Sequence, residues 1–321
     1  MPPLWGRLTM ERARWAFPCG RWCPGRAEWL LCARCVQPEE KQRIGQFMFT
    51  RDAKAAMAGR LLIRKLIAEK LTIPWNKILL ERTAKGKPFL ANDIAPQYPN
   101  FNFNVSHQGD YAVLAAEPEH QVGVDVMKTD LPGSGSTEEF FRLMHRQFTE
   151  REWHSIRSMG SDWAQLDMFY RHWKYISAVS MCLWFQALKE SFIKAIGVGL
   201  GFNLQRIEFE VSPINMETGK VYTQTKMWLD DERENWSFEE MLLDNQHHVA
   251  VALGSAGTDK SQHSQNGKLS GTSFTVLTYE DLMASAVPMT AEDPDYWDKF
   301  HSKQEMPCRQ STKTAPNTVT S

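Results

Sequence analysis

The sequence predicts a mixed α+β fold. Three observations carry it: apolar positions at helical spacing between Thr50 and Leu71, period-two alternation between Phe101 and Val126, and a second strand-rich stretch from Ile207 to Leu253. The 321 residues suffice for one large domain or two of ordinary size. With 42% hydrophobic and 23% charged residues, the composition is that of a soluble globular protein. The net charge of −1 gives no basis for a nucleic-acid or membrane partner. The longest apolar run, Ile176–Phe185, falls short of the roughly 20 residues that span a bilayer. Arg7, Arg12 and Arg14 stand near the start without an apolar signal core, which argues against secretion and leaves a transit-peptide pattern as the alternative.

Taken in order, residues 1–25 read as irregular because Pro2, Pro3, Pro18 and Pro24 interrupt every pattern, and a strand is expected near Ala27–Cys35. Cys19, Cys23, Cys32 and Cys35 read as reduced cytosolic thiols. The Cys32-x-x-Cys35 spacing keeps zinc as an alternative, with no histidine nearby to support it. Thr50 is a candidate cap for a helix to about Leu71; Ala58, Leu61, Leu62 and Leu66 share one face, and Arg60, Arg64 and Lys65 add positive charge. Phe101, Phe103 and Val105 alternate with asparagines as in a strand, Gln108-Gly109-Asp110 is turn chemistry, and Tyr111–Ala116 is a second apolar run. After a turn at Glu117-Pro118-Glu119, Val122, Val124 and Val126 alternate with Gly123 and Asp125, so valines facing the core point Asp125 the other way.

Residues 129–137 are Pro/Gly/Ser-rich and read as a linker. Helices are expected at Phe140–Met144, at Thr149–Ile156, around Leu166–Trp173 and through Leu188–Ile196, the last closed by Gly197, Gly199 and Gly201. His247–Leu253 echoes Asp110–Ala116, a hint of two related halves. The expected organisation is an irregular N-terminus (1–15), an N-terminal half (16–128), a C-terminal half (129–254), a disordered linker (255–272) and a tail (273–321) that docks in part on the body.

Three clusters carry chemistry. Arg82-Thr83-Ala84-Lys85-Gly86-Lys87-Pro88 packs cations and a glycine into a turn, which suits a phosphate-rich anion. Asn104-Val105-Ser106-His107 lies at a strand end, and Asp125 follows eighteen residues after His107. In Lys189-Glu190-Ser191-Phe192-Ile193-Lys194, Glu190 and Lys194 share a helix face at i and i+4. Taken singly, the first reads as a solvated basic turn and the third as a surface ion pair, while the second is divided between a site and a hairpin. Together they describe a magnesium–polyphosphate site with no Walker loop, in which Asp125 and Glu190 supply hard oxygens.

Here the sequence resembles the phosphopantetheinyl transferases, which carry a glycine-x-aspartate strand, seen as Gly123-Val124-Asp125, and a later tryptophan-x-x-lysine-glutamate helix, represented by Leu188–Ala195. The resemblance implies two similar α+β halves with the active site in the cleft between them. It implies Asp125 and Glu190 as magnesium ligands, and Arg43, Arg82–Lys87, Asn104–His107 and Glu190–Lys194 as coenzyme A contacts, with Arg43 and His107 near the 3′-phosphate. Met127 stands where bacterial relatives often place a third carboxylate, which leaves room for water or Gln108. Glu190 and Lys194 are the implied catalytic pair, acting on a serine of apo acyl or peptidyl carrier domains, including those of fatty-acid synthesis and aminoadipate-semialdehyde dehydrogenase. A monomer in the cytosol is implied.

One departure stands out. Thirteen residues, Lys174–Gln186, separate Trp173 from Ala187 where the family spaces tryptophan three residues before the lysine. The segment reads as a splice or gene-model insertion, with a lineage-specific loop as the alternative. The rival function is a catalytically impaired form that still binds coenzyme A and carrier; a magnesium-dependent nucleotide hydrolase is a second rival.

Overall fold

A computed structural model describes residues 11–84, 86–94, 97–129, 136–145, 148–172, 188–196, 206–255 and 271–306. The first element is a strand, β1 (Ala13–Phe17), where irregular chain was expected. Pro18 only ends this strand, and its alternation is hidden in the sequence because the charged Arg14 is fully buried. Next comes a helix, α1 (Arg26–Arg34), where a strand was expected. Its buried residues Trp29, Leu30, Cys32 and Ala33 form one helical face, and the Glu28 carboxylate accepts from the Gly25 N–H at 3.3 Å to close the first turn.

Helix α2 (Pro38–Gly45) begins on a proline, and α3 (Thr50–Lys70) runs 21 residues through the core. Thr50 is the first helical residue of α3, not its cap; Phe49 holds the cap position. A short hairpin follows, β2 (Leu80–Arg82) and β3 (Pro88–Leu90), then β4 (Asn102–Gln108), β5 (Tyr111–Glu117) and β6 (His120–Lys128). Helices α4 (Thr137–Met144), α5 (Glu150–Arg157), α6 (Asp162–His172) and α7 (Leu188–Ile196) come next. A meander of β7 (Ile207–Glu210), β8 (Lys226–Leu229) and β9 (Glu232–Arg233) leads to the long hairpin β10 (Ser237–Asp244) and β11 (His247–Ser255). The tail returns as β12 (Thr275–Val276), α8 (Tyr279–Met283) and α9 (Pro294–His301).

Two main sheets result, β12-β1-β5-β4 and β10-β11-β6. Helix α3 packs on the first and α7 on the second. Strand β6 therefore pairs not with β5 but with β11, from Lys128↔His247 to His120↔Ser255. Both sheets turn apolar faces to a shared core: Val113 and Ala115 of β5 meet Val122, Val124 and Val126 of β6 and Val249 and Val251 of β11. The tail packs against α1 and β1. Tyr296 and Phe300 of α9 stack on Trp29, and Thr275–Val276 pair with β1. The two main sheets meet through β4 and β6, bridged by side chains. Asn104 Oδ1 accepts from the Val124 N–H at 3.0 Å, Ser106 donates to Asp125, and Gln108 Oε1 accepts from the Lys128 N–H. Residues 104, 106 and 108 share one face of β4, so the polar half of its alternation is a seam and not a solvent face.

Candidate active site

The site begins with a close approach. A Cβ on Gly123 would lie 1.8 Å from the carbonyl oxygen of Ser191 and 2.5 Å from the amide nitrogen of Ala195. Only glycine lets β6 and α7 touch there. Two residues on, Asp125 is completely buried on the face opposite the valines. Its Oδ1 accepts from Lys194 Nζ at 2.6 Å and from Ser106 Oγ at 2.5 Å, and Lys194 Nζ also lies 2.9 Å from Ser106 Oγ. One strand of each main sheet and one helix thus bring a carboxylate, a hydroxyl and an ammonium to one point.

Positive charge continues outward. Lys87 Nζ donates to the Lys194 carbonyl at 3.3 Å, and burial lowers the Lys87 pKa. The turn before it is held by Thr83 N–H to Lys87 O at 2.9 Å and Gly86 N–H to Thr83 O at 2.8 Å, with Gly86 at φ 81°, a conformation open to glycine. Arg82 donates from Nε and Nη2 to both oxygens of Glu40 at 3.0 Å, and from Nη1 to Gly86 O at 2.9 Å. Arg60 Nε and Arg43 Nη1 approach the same carboxylate at 3.5 and 3.9 Å. Burial and the neighbouring Arg82 lower the Arg43 pKa, and burial brings Arg60 to about 10. Burial, then the charges of Lys194, Arg60 and Arg43, push the His107 imidazole down to about 4, so it is neutral at pH 7.

Of the residues expected from the sequence, Ser106, Asp125 and Lys194 are in direct contact, and Lys87 joins them through the Lys194 carbonyl. Arg43 and Arg82 gather at Glu40. Asn104 lies beside this group on the same face of β4, bonded to the β6 backbone. Val105 points the other way; its Cγ2 lies where a Cβ on Gly59 of α3 would reach it at 3.6 Å. Phe192 and Ile193 pack in the core of the second sheet, Phe192 edge-on to Trp236 at 4.8 Å, and Ser191 is fully buried. Thr83, Ala84 and Gly86 lie in the basic turn, and Lys85 falls outside the described residues. Glu190 belongs to α7 directly after Lys189, with its side chain outside the described set. Gln108, expected to have room to act as a ligand, has its amide oxygen committed to the β6 backbone. Among the described residues no group of three or more His, Cys, Asp or Glu is placed to hold a metal ion. Cys19, Cys32 and Cys35 are buried free thiols, and Cys23 is an exposed one.

Sequence reasoning missed three participants. Glu40 and Arg60 lie in separate helices, and neither has a motif around it. Glu152, whose Oε2 accepts from the fully buried Lys189 Nζ at 2.9 Å, gave no more signal than a helix-capping glutamate.

Residues 20–119 match the sequence model described as 4′-phosphopantetheinyl transferase, N-terminal, and residues 121–252 match that of the 4′-phosphopantetheinyl transferase superfamily. The chain belongs to this superfamily of transferases. In particular, it is 70% identical over 304 residues to the L-aminoadipate-semialdehyde dehydrogenase-phosphopantetheinyl transferase of Xenopus laevis, covering 95% of this chain and 96% of that one. The Homo sapiens protein of the same name is 60% identical over 312 residues, with the same coverage. A phosphopantetheinyl transferase of a Thraustochytrium species is 38% identical over 245 residues, 74% of this chain and 77% of its own. The resemblance read from Gly123–Asp125 and Leu188–Ala195 and these matches agree. Among the described residues no helix is long and apolar enough to cross a membrane.

Proposed function

We propose that the chain transfers 4′-phosphopantetheine from coenzyme A to a serine of an apo acyl or peptidyl carrier domain, releasing 3′,5′-ADP. The observation that carries this is the buried Asp125 carboxylate, met by the Lys194 ammonium at 2.6 Å where β6 and α7 close on each other beside a basic turn. A fully buried carboxylate needs a positive partner, and the Lys194 ammonium supplies one. Asp125, with Glu190 on the adjoining helix, fits the hard-oxygen donor set of magnesium. When bound, magnesium supplies neutralisation of the pyrophosphate charge.

The chain's own groups then divide the work. Arg43, Arg82 and Lys87 hold phosphate charge, and the backbone at Gly86 allows close approach. Glu190, directly or through water, takes the proton of the carrier serine. The serine oxygen forms a bond to the β-phosphorus, and the bond from that phosphorus to the departing 3′,5′-ADP oxygen breaks. Lys194 opposes the charge that gathers on the transferred phosphate or leaving group. Carriers of the kind named in the animal relatives, aminoadipate-semialdehyde dehydrogenase among them, are the proposed partners. A cytosolic monomer is the proposed working form.

Incubating the full chain with coenzyme A, magnesium and an apo carrier, then weighing the carrier, tests the proposal. A phosphopantetheine mass gain is expected. Coenzyme A binding with no gain supports the impaired binding form instead, and nucleotide hydrolysis without carrier labelling supports a hydrolase.

A further inference from the structure

Arg60 and Glu40 have no role in the reading above. Glu40 carries one negative charge and three guanidiniums surround it. Arg82 takes both carboxylate oxygens in a two-pronged pair, which leaves Arg60 only a 3.5 Å approach through Nε. The Arg60 side chain is 9% exposed, and its Nε and Nη1 have no hydrogen-bond partner among the described residues. A guanidinium offers five donors in a fixed fork and stays charged near neutrality. Burying it short of acceptors is costly in the free protein. Under-satisfied buried charge of this kind clusters where a ligand completes it. The charge is felt in the cleft, since Arg60 acts on His107 together with Lys194 and Arg43.

We infer that Arg60, held by Glu40, is a specificity-determining contact for the terminal phosphomonoester of coenzyme A, recognising it together with Arg43. The inference rests on coenzyme A as the donor. A phosphomonoester carries nearly two negative charges and three strong acceptor oxygens at neutral pH. That matches the two positive charges left when one carboxylate faces three arginines, and it supplies the acceptors that Arg60 lacks. A hydroxyl in its place supplies neither. Glu40 is a positioning residue, keeping three like charges together before the ligand arrives.

Titration calorimetry on the full chain, with coenzyme A and with its 3′-dephospho form, tests this on wild type, R60M and R60K. The measured quantity is the ratio of the two affinities. Wild type is expected to prefer coenzyme A about tenfold or more, as one lost charge-assisted bond implies. R60M should lower that preference about tenfold. R60K keeps the charge but loses the fork and should lower it about threefold. A ratio unchanged in both variants, with both affinities falling together, overturns the role of Arg60 and leaves the donor reading standing. Equal binding of the two ligands by wild type also overturns the role. Wild type that binds neither overturns the donor reading, and this inference with it. If R60M does not fold, the ratio in R60K decides alone.

Discussion

At the scale of single residues, the site is organised by a glycine and a cluster of cations. Gly123→Ala places a methyl within 1.8 Å of a backbone oxygen, and neither β6 nor α7 has a flexible atom there to give way. The substitution should cost about 3 kcal/mol or more in urea denaturation and lower transfer, because it pushes α7 away from Asp125. Wild-type stability and transfer would contradict the packing account. His107 makes a pH prediction. Its folded pKa is about 4 against an ordinary 6.5. Between those values the unfolded chain binds a proton that the folded chain does not, so stability falls as pH drops through this window. The contribution is roughly 2 kcal/mol at the acid end, given its partial exposure. His107→Gln should flatten the decline in melting temperature between pH 6.5 and 4, and an unchanged slope would refute it. The meeting of Lys194 with Asp125 lies within Gly123-Val124-Asp125 and Leu188–Ala195, where motif spacing reports residues that approach from one strand and one helix turn. Glu40 and Arg60 were not legible in this way. Their partnership joins α2, α3 and β2 and exists only once the chain has folded.

At the scale of elements, α6 and α7 flank Lys174–Gln186, a segment outside the described residues. His172, at the end of α6, has Nδ1 3.8 Å from Glu152 Oε1, and Lys189, at the start of α7, has Nζ 2.9 Å from Glu152 Oε2. Lys189 thus bonds a buried carboxylate that His172 also approaches. Without the thirteen residues, His172 and Lys189 would stand at i and i+4, one helical face. An insertion that continued as helix would instead add about 20 Å and turn the faces by about 220°. Loop closure grows only slowly in cost with length, so extruding such a segment is tolerable, but its apolar residues favour association. Deleting Lys174–Gln186 should raise soluble yield and transfer rate. A deletion variant that is less stable and less active than the full chain would show the segment to be integrated. A short apolar run such as Trp29-Leu30-Leu31 fits a strand or a buried helix segment equally by periodicity; in α1 burial of one helical face decides it.

At the scale of the whole molecule, Arg14 ties the first sheet to the second. It donates to Glu117 of β5, to Glu239 of β10 at 2.8 Å and to the Ala116 carbonyl at 3.1 Å, with its side chain fully buried. Arg14→Met leaves the buried Glu117 and Glu239 to Arg12, at 3.1 and 3.9 Å, and should cost about 2 kcal/mol in chemical denaturation. A loss below about 1 kcal/mol would mean the sheets do not depend on this lock. The mixed α+β class was legible from periodicity, but the join between sheets was not. The asparagine-rich face of β4 looks like solvent surface in sequence and is the seam with β6. The proposed function centres on this seam: Asp125, brought by β6 against α7, is proposed to work with Glu190 as the metal-holding and proton-accepting pair of a transferase. The most direct measurement is the mass of an apo carrier after incubation with coenzyme A, magnesium and the full chain as wild type, Asp125→Ala or Glu190→Ala. The account predicts a phosphopantetheine gain with wild type and none with either folded variant, while coenzyme A binding is retained at least in part. Wild-type-like labelling by either variant would contradict it.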